Sequence, residues 1–180
     1  SVLREAGAII LGKSNTPEFG AGAHTVNKVY GATGNPFDTN RTCGGSSGGS
    51  AVALAATMVP LASGSDSGGS LRIPAAYCGV VAHRSTPGIV PTERHSIGYT
   101  NYSVQGPMAR TVADTQLMLS TLARYDDRDP LSTPWARERF KKSVSVDLSD
   151  LKVAFCDDLG FAEVDDGLRS IFWERVEHLK

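Results

Sequence analysis

Cysteine is scarce in this chain, and its three residues, Cys43, Cys78 and Cys156, include no CxxC pair. An odd count without that spacing excludes a disulfide framework and a structural zinc site, and it points to a reducing, cytoplasmic compartment. An excess of one charge is missing as well. Eighteen Lys plus Arg stand against nineteen Asp plus Glu, a net charge of -1, so there is no electrostatic footprint for nucleic acid or anionic lipid. No apolar run reaches membrane-crossing length, no repeat of about 20 to 50 residues is visible, and the first residues show no basic and apolar leader pattern. With 41% hydrophobic and 21% charged residues in 180, the composition is that of a soluble globular domain.

What the chain has in quantity is glycine, 19 residues in all, 11 of them crowded between Gly31 and Gly88. Around that cluster the expected elements alternate. The apolar run 6–12 (AGAIILG) reads as a buried strand and 20–49 as a long functional loop. A buried helix is expected over 50–58, a strand over 59–65, and a second helix opened by Pro74 in its first turn. Thr111 is expected to cap an amphipathic helix over 111–124, with Asp114 three positions on. A strand over 151–155 and a helix over 165–180 follow, the latter with Leu168, Ile171, Phe172, Val176 and Leu179 at helical spacing. Strands alternating with helices argue for an α/β class with a largely buried sheet. Both ends read as cuts, so 1–180 is expected to be a single partial domain.

Two similar turns dominate the centre, GGSSGG at 44–49 and GSDSGGS at 64–70, each opening a helix. Glycine lets backbone N–H groups approach a ligand closely, and the first N–H groups of a helix carry partial positive charge. Such turns suit an anion or a developing oxyanion, although one Gly/Ser cluster alone is more often a plain connection. A phosphate-cradling loop would need GxxxxGK[ST] or GxGxxG, and neither is present. Gly44-Gly45-Ser46-Ser47-Gly48 matches the GxSxG elbow, yet residues 37–43 make a poor preceding strand. His24, His83, His95 and His178 have no metal-ligand spacing. Ser149-Asp150-Leu151-Lys152 matches SxxK off a helix, which chance explains.

The run GGSSGGSAVALAATMVPLASGSDSGGSLRIPAAYCGVVAHRSTPGIVP closely resembles the signature of the amidase signature family, whose members hydrolyse amides with a Ser, cis-Ser and Lys triad. AGAIILGKSNTPEFG, VYGATGNPFD and Gln105 to Asp114 resemble its flanking segments in the right order, so nearly the whole chain is covered. The resemblance implies a mixed β-sheet core covered by helices, incomplete in this chain, and an amidohydrolase acting on a linear carboxamide through a serine acyl-enzyme, with no metal or organic cofactor.

By the resemblance, Ser70 is the nucleophile and Ser46 the bridging cis-serine, 24 positions apart. The peptide before Ser46 would be cis, aiming its hydroxyl at Ser70. The plainer reading of Ser46 and Ser47 is that both cap the helix beginning near Ser50. Backbone N–H groups of Ser67, Gly68, Gly69 and Ser70 would hold the oxyanion, and Asp66 and Arg72 would order the turn as an ion pair, with contact to an acidic substrate group the alternative for Arg72. In the family the catalytic lysine lies further upstream than the 45 residues before Ser46. Lys13 and Lys28 are not promoted to that role, and the lysine is assigned to no residue. From its absence follows one alternative, a noncatalytic binding or assembly domain; the resemblance also implies a second, one component of an amidotransferase working on aminoacylated transfer RNA. The expected partner is a small-molecule amide, with neither nucleic acid nor membrane; a homodimer is compatible with the sequence, which does not fix the oligomeric state. Tyr99, Tyr102 and Trp135 are candidates for an acyl pocket, with ordinary packing the equal alternative.

Overall fold

The computed structural model describes residues 2–93, 99–134, 137–142, 144–147, 149 and 151–179. His95, Trp135 and Asp150, singled out from the sequence, lie outside the described residues. The chain divides into two compact units, Ser1–Ser143 and Val144–Lys180.

In the first unit the order is α1 (Val2–Glu5), β1 (Val26–Asn27), β2 (Gly31–Ala32), α2 (Gly48–Ala55), β3 (Leu61–Asp66), α3 (Arg72–Cys78), β4 (Val81–Ala82), β5 (Val104–Ala109) and α4 (Val112–Leu122). β1 and β2 make a small antiparallel ribbon, while β3, β5 and β4 lie side by side in that order, each pair antiparallel. β3 and β5 pair along their whole length, from Leu61 opposite Ala109 to Asp66 opposite Val104. Leu54 of α2, Ala75 and Cys78 of α3, and Met108 of β5 are buried in one cluster with Cys43, Ala51 and Leu71. The two helices and the sheet thus share a core, and the α/β class holds. A second buried cluster of Ile89, Val90, Leu119 and Ala123 lies along α4.

Local chemistry sets the helix starts. Thr111 accepts the Asp114 N–H at 3.0 Å and donates its own hydroxyl to the Asp114 carboxylate at 2.7 Å, as its spacing predicts. Pro74 sits third in α3, where a backbone N–H would have no partner within the helix. In the second unit, α5 (Asp166–Glu177) starts at Asp165, whose carboxylate accepts the N–H groups of Gly167 and Leu168.

Two expected strands do not form. Residues 6–12 hold no strand, and Ile9, Ile10 and Leu11 are exposed. Residues 151–155 are likewise without strand, with Leu151 and Val153 exposed. An apolar run becomes a strand only where a neighbour receives its N–H and C=O groups, and among the described residues neither run has one. No helix among the described residues is long and apolar enough to cross a membrane.

Candidate active site

The first Gly/Ser turn brings Ser46 and Ser47 to the start of α2, and both are buried. The peptide bond between Gly45 and Ser46 is cis. A Cβ on Gly45 would stand 3.1 Å from the backbone of Ala23 and His24, so glycine lets this turn lie directly on residues 20–24.

Ser47 occupies the N-cap position of α2, but its side chain makes no capping bond. Its Oγ instead accepts the Ser65 N–H at 3.2 Å and donates to the Ser65 C=O at 3.3 Å. One turn on, the Ser50 hydroxyl donates to the Ser63 C=O at 2.9 Å. β3 is an edge strand, and hydroxyls from α2 bind the outer backbone groups that a further strand would otherwise take. The capping expectation for Ser46 and Ser47 is therefore corrected: an edge needing partners draws the Ser47 hydroxyl away from the helix, and no side-chain cap is made. The Ser47 N–H also donates to the Ser70 C=O at 3.2 Å, a direct tie between the two turns.

The second turn is held from below and from the side. Leu71, wholly buried, lies against Gly64 and Gly106, which face each other across β3 and β5. A Cβ on Gly64 would come 2.7 Å from one Leu71 methyl, and one on Gly106 2.6 Å from the other. The opposed glycines leave the space in which the residue next to Ser70 seats. Asp66, the last residue of β3 and wholly buried, accepts from the Gly69 N–H at 2.8 Å and the Leu71 N–H at 3.2 Å. Arg72 grips the same carboxylate with two hydrogen bonds of 3.0 Å. Burial pushes the Asp66 carboxyl up, but the Arg72 hydrogen bond, the two amides and the Arg72 charge outweigh it and lower it to about 2. The same hydrogen bond raises Arg72 above the usual guanidinium value. The expected Asp66–Arg72 ion pair is thus present, closing the turn on itself.

Between the turns lies a cavity of about 350 Å³. Ser46, Ser65, Ser67, Gly68 and Ser70 line it, facing residues 20–23. Of the site residues named from the sequence, Ser46, Ser67, Gly68 and Ser70 come together here, while Ser47, Asp66, Gly69 and Arg72 stand behind the lining. Gly69 is set apart by its amide, which is bound to Asp66, and its φ of +116° suits glycine. Among the described residues, the amides of Ser67, Gly68 and Ser70 have no acceptor. Lys13 and Lys28 are exposed and outside the lining, which among the described residues carries no ionisable side chain. Tyr99 and Tyr102, 81% and 72% exposed, do not line it either. Ser65 was not singled out from the sequence, and residues 20–23 only as the start of the long loop expected to be functional. Ser65 lies inside GSDSGGS, so the motif held the signal; residues 20–23 carry no chemistry of their own and enter by packing. Hydroxyls and unengaged amides around one cavity can supply a nucleophile and a cradle for negative charge, while a base has to come from another side chain.

The family model for Amidase matches residues 1–180. The chain belongs to the amidase signature family. This amidase-signature chain is 45% identical over 163 residues to an acylamidase of Rhodococcus erythropolis, covering 91% of this chain and 34% of that protein. It is 39% identical over 175 residues to a glutamyl-tRNA(Gln) amidotransferase subunit of Methanosarcina acetivorans, covering 97% and 36%. Among solved structures, 6-aminohexanoate cyclic dimer hydrolase with substrate superposes with a TM-score of 0.71 at 39% identity, over 75% of this chain and 29% of that one. A bacterial aryl acylamidase gives 0.70 at 36%, over 74% and 28%. The amidase-signature chain spans about a third of the length of the curated relatives it matches.

Proposed function

We propose that this chain carries the acyl-transfer part of an amide hydrolase acting on a small linear carboxamide, with Ser70 as nucleophile and Ser46 as the serine that relays its proton. The observation that carries this reading is the convergence of Ser46 and Ser70 on one cavity beside the acceptor-free amides of Ser67, Gly68 and Ser70. Ser70 Oγ attacks the carbonyl carbon, and its proton passes to Ser46 as the Ser46 proton passes to a neutral lysine. That lysine is supplied from outside the described lining and is assigned to no residue. The oxyanion rests on the three free amides, each such donor worth ~3 to 4 kcal/mol in the transition state. Gly69 leaves this set, because its N–H already serves Asp66. Collapse expels ammonia or an amine, which takes back a proton along the same path, and water then releases the carboxylate from Ser70. The reading places the protein in a reducing, cytoplasmic compartment, supported by three free thiols.

A second reading is favoured by the likeness to the Methanosarcina amidotransferase protein: the same chemistry would take glutamine and pass its ammonia to a partner protein.

In the protein expressed from the whole reading frame, Ser70→Ala is expected to abolish both carboxamide hydrolysis and labelling by a serine-directed fluorophosphonate, read by intact mass. Ser46→Ala should lower kcat by about 10² to 10⁴ with the fold intact. A label that survives Ser70→Ala contradicts the assignment. Ammonia release from glutamine but from no simple carboxamide selects the second reading.

A further inference from the structure

Arg84 stands just beyond β4, where the His83 N–H still donates to Pro107 on β5. β5 separates β4 from β3, yet the Arg84 side chain reaches the far strand. Its Nε lies 3.7 Å from Asp66 Oδ1, its Nη1 donates to the Asp66 C=O at 3.3 Å, and its Nη2 donates to the Tyr102 C=O at 3.2 Å, two residues before β5 begins. One guanidinium thus joins the ends of all three strands where the chain leaves the sheet for Ser67–Ser70. The other cation on Asp66 differs in kind. Arg72 belongs to the turn it holds and its side chain is 57% exposed, whereas Arg84 comes from outside the turn and is 25% exposed.

The consequence runs through Asp66. Its carboxylate holds the Gly69 and Leu71 amides, which settles how the intervening backbone is presented to the cavity. Arg72 lies in the same short segment as Asp66, Gly69 and Leu71, so its fork closes the turn without tying it to β4 or to the approach to β5. Arg84 adds that tie, beside the pairing of Asp66 with Val104 and the Ser47–Ser70 bond. A planar fork can hold two carbonyls and a carboxylate together, and a lysine ammonium at the same point cannot reproduce that geometry.

We infer that Arg84 is a positioning residue for the proposed acyl transfer, anchoring Asp66 so that the amides of Ser67, Gly68 and Ser70 meet the oxyanion. The inference rests on the reading of Ser70 as nucleophile. It is tested in the protein from the whole reading frame by kinetics of Arg84→Gln and Arg84→Lys beside Ser70→Ala. Affinity for a boronic acid that mimics the tetrahedral adduct and amide hydrogen exchange are followed in parallel. Arg84→Gln should lower kcat by about 10- to 100-fold with little change in KM. Boronate affinity should fall by the same factor, and exchange should quicken at Gly69 and Leu71 but not in α4. Arg84→Lys should recover only part of the loss. Unchanged kcat in Arg84→Gln, or full recovery by lysine, overturns the inference while leaving Ser70 in place. If Arg84→Gln does not fold, Arg84→Lys decides alone, and wild-type kcat there overturns it. Activity that persists in Ser70→Ala removes both readings.

Discussion

Asp66 carries more of the site than its place behind the cavity lining suggests. A buried carboxylate is tolerable only when its lone pairs are met, and here two amides and the Arg72 fork meet them. Folding lowers its pKa from 3.8 to about 2, so the ionised form is favoured in the native state. The stabilisation is fully present above about pH 4 and is lost as the pH falls through about 2. Its size is on the order of 2 kcal/mol. Urea unfolding of the wild type is therefore expected to lose stability between those pH values, and Asp66→Asn should flatten that part of the profile; an unchanged slope in the variant would contradict it. At this scale the sequence was informative: Asp66 and Arg72 pair as their types and closeness predict. What it did not show is that the same carboxylate takes the Gly69 amide, a choice made by the turn's backbone.

At the scale of elements, the site depends on how two helices meet an edge strand. α2 spends its serines on β3, and α3 opens directly after Leu71 enters the space above Gly64 and Gly106. A methyl group at either glycine meets a core with no room, and overpacking of this kind costs about 1 to 3 kcal/mol. Gly106→Ala, whose methyl would meet both the His83 C=O and a Leu71 methyl, is expected to destabilise the protein by at least that amount and also to lower kcat as Leu71 and the neighbouring Ser70 shift. Denaturant titration and steady-state kinetics on the same preparation check both parts. A stability loss with unchanged kcat would show that the Leu71 seat does not position Ser70. The helices over 50–58 and 111–124 and the strand over 59–65 were legible from apolar spacing and Gly/Ser punctuation, each within a few residues. The runs 6–12 and 151–155 were misread because apolar character marks a buried strand only when a partner strand is there to pair with it.

For the molecule as a whole, many large side chains of the first unit stay in water, among them Ile9, Leu11, Phe19, Val29, Tyr30 and Phe37, from 73% exposed at Leu11 to 104% at Phe19. Apolar surface on this scale favours association, so the isolated 180-residue chain is expected to show a sedimentation coefficient that rises with concentration. One concentration-independent monomer would rule that out, and with it a homodimer of this chain. Family membership, the two Ser-bearing turns and the separation of Ser46 from Ser70 were set by the sequence alone, because motif and spacing are local and need no partner. Which serines share a cavity, which amides of the second turn go without an acceptor, and which apolar runs become strands were decided only in three dimensions. Most of those outcomes depend on a group distant in the chain arriving to accept or donate a hydrogen bond, Ser47 for Ser65 and Ser70 and Arg84 for the end of β3, while Asp66 engages Gly69 within one turn.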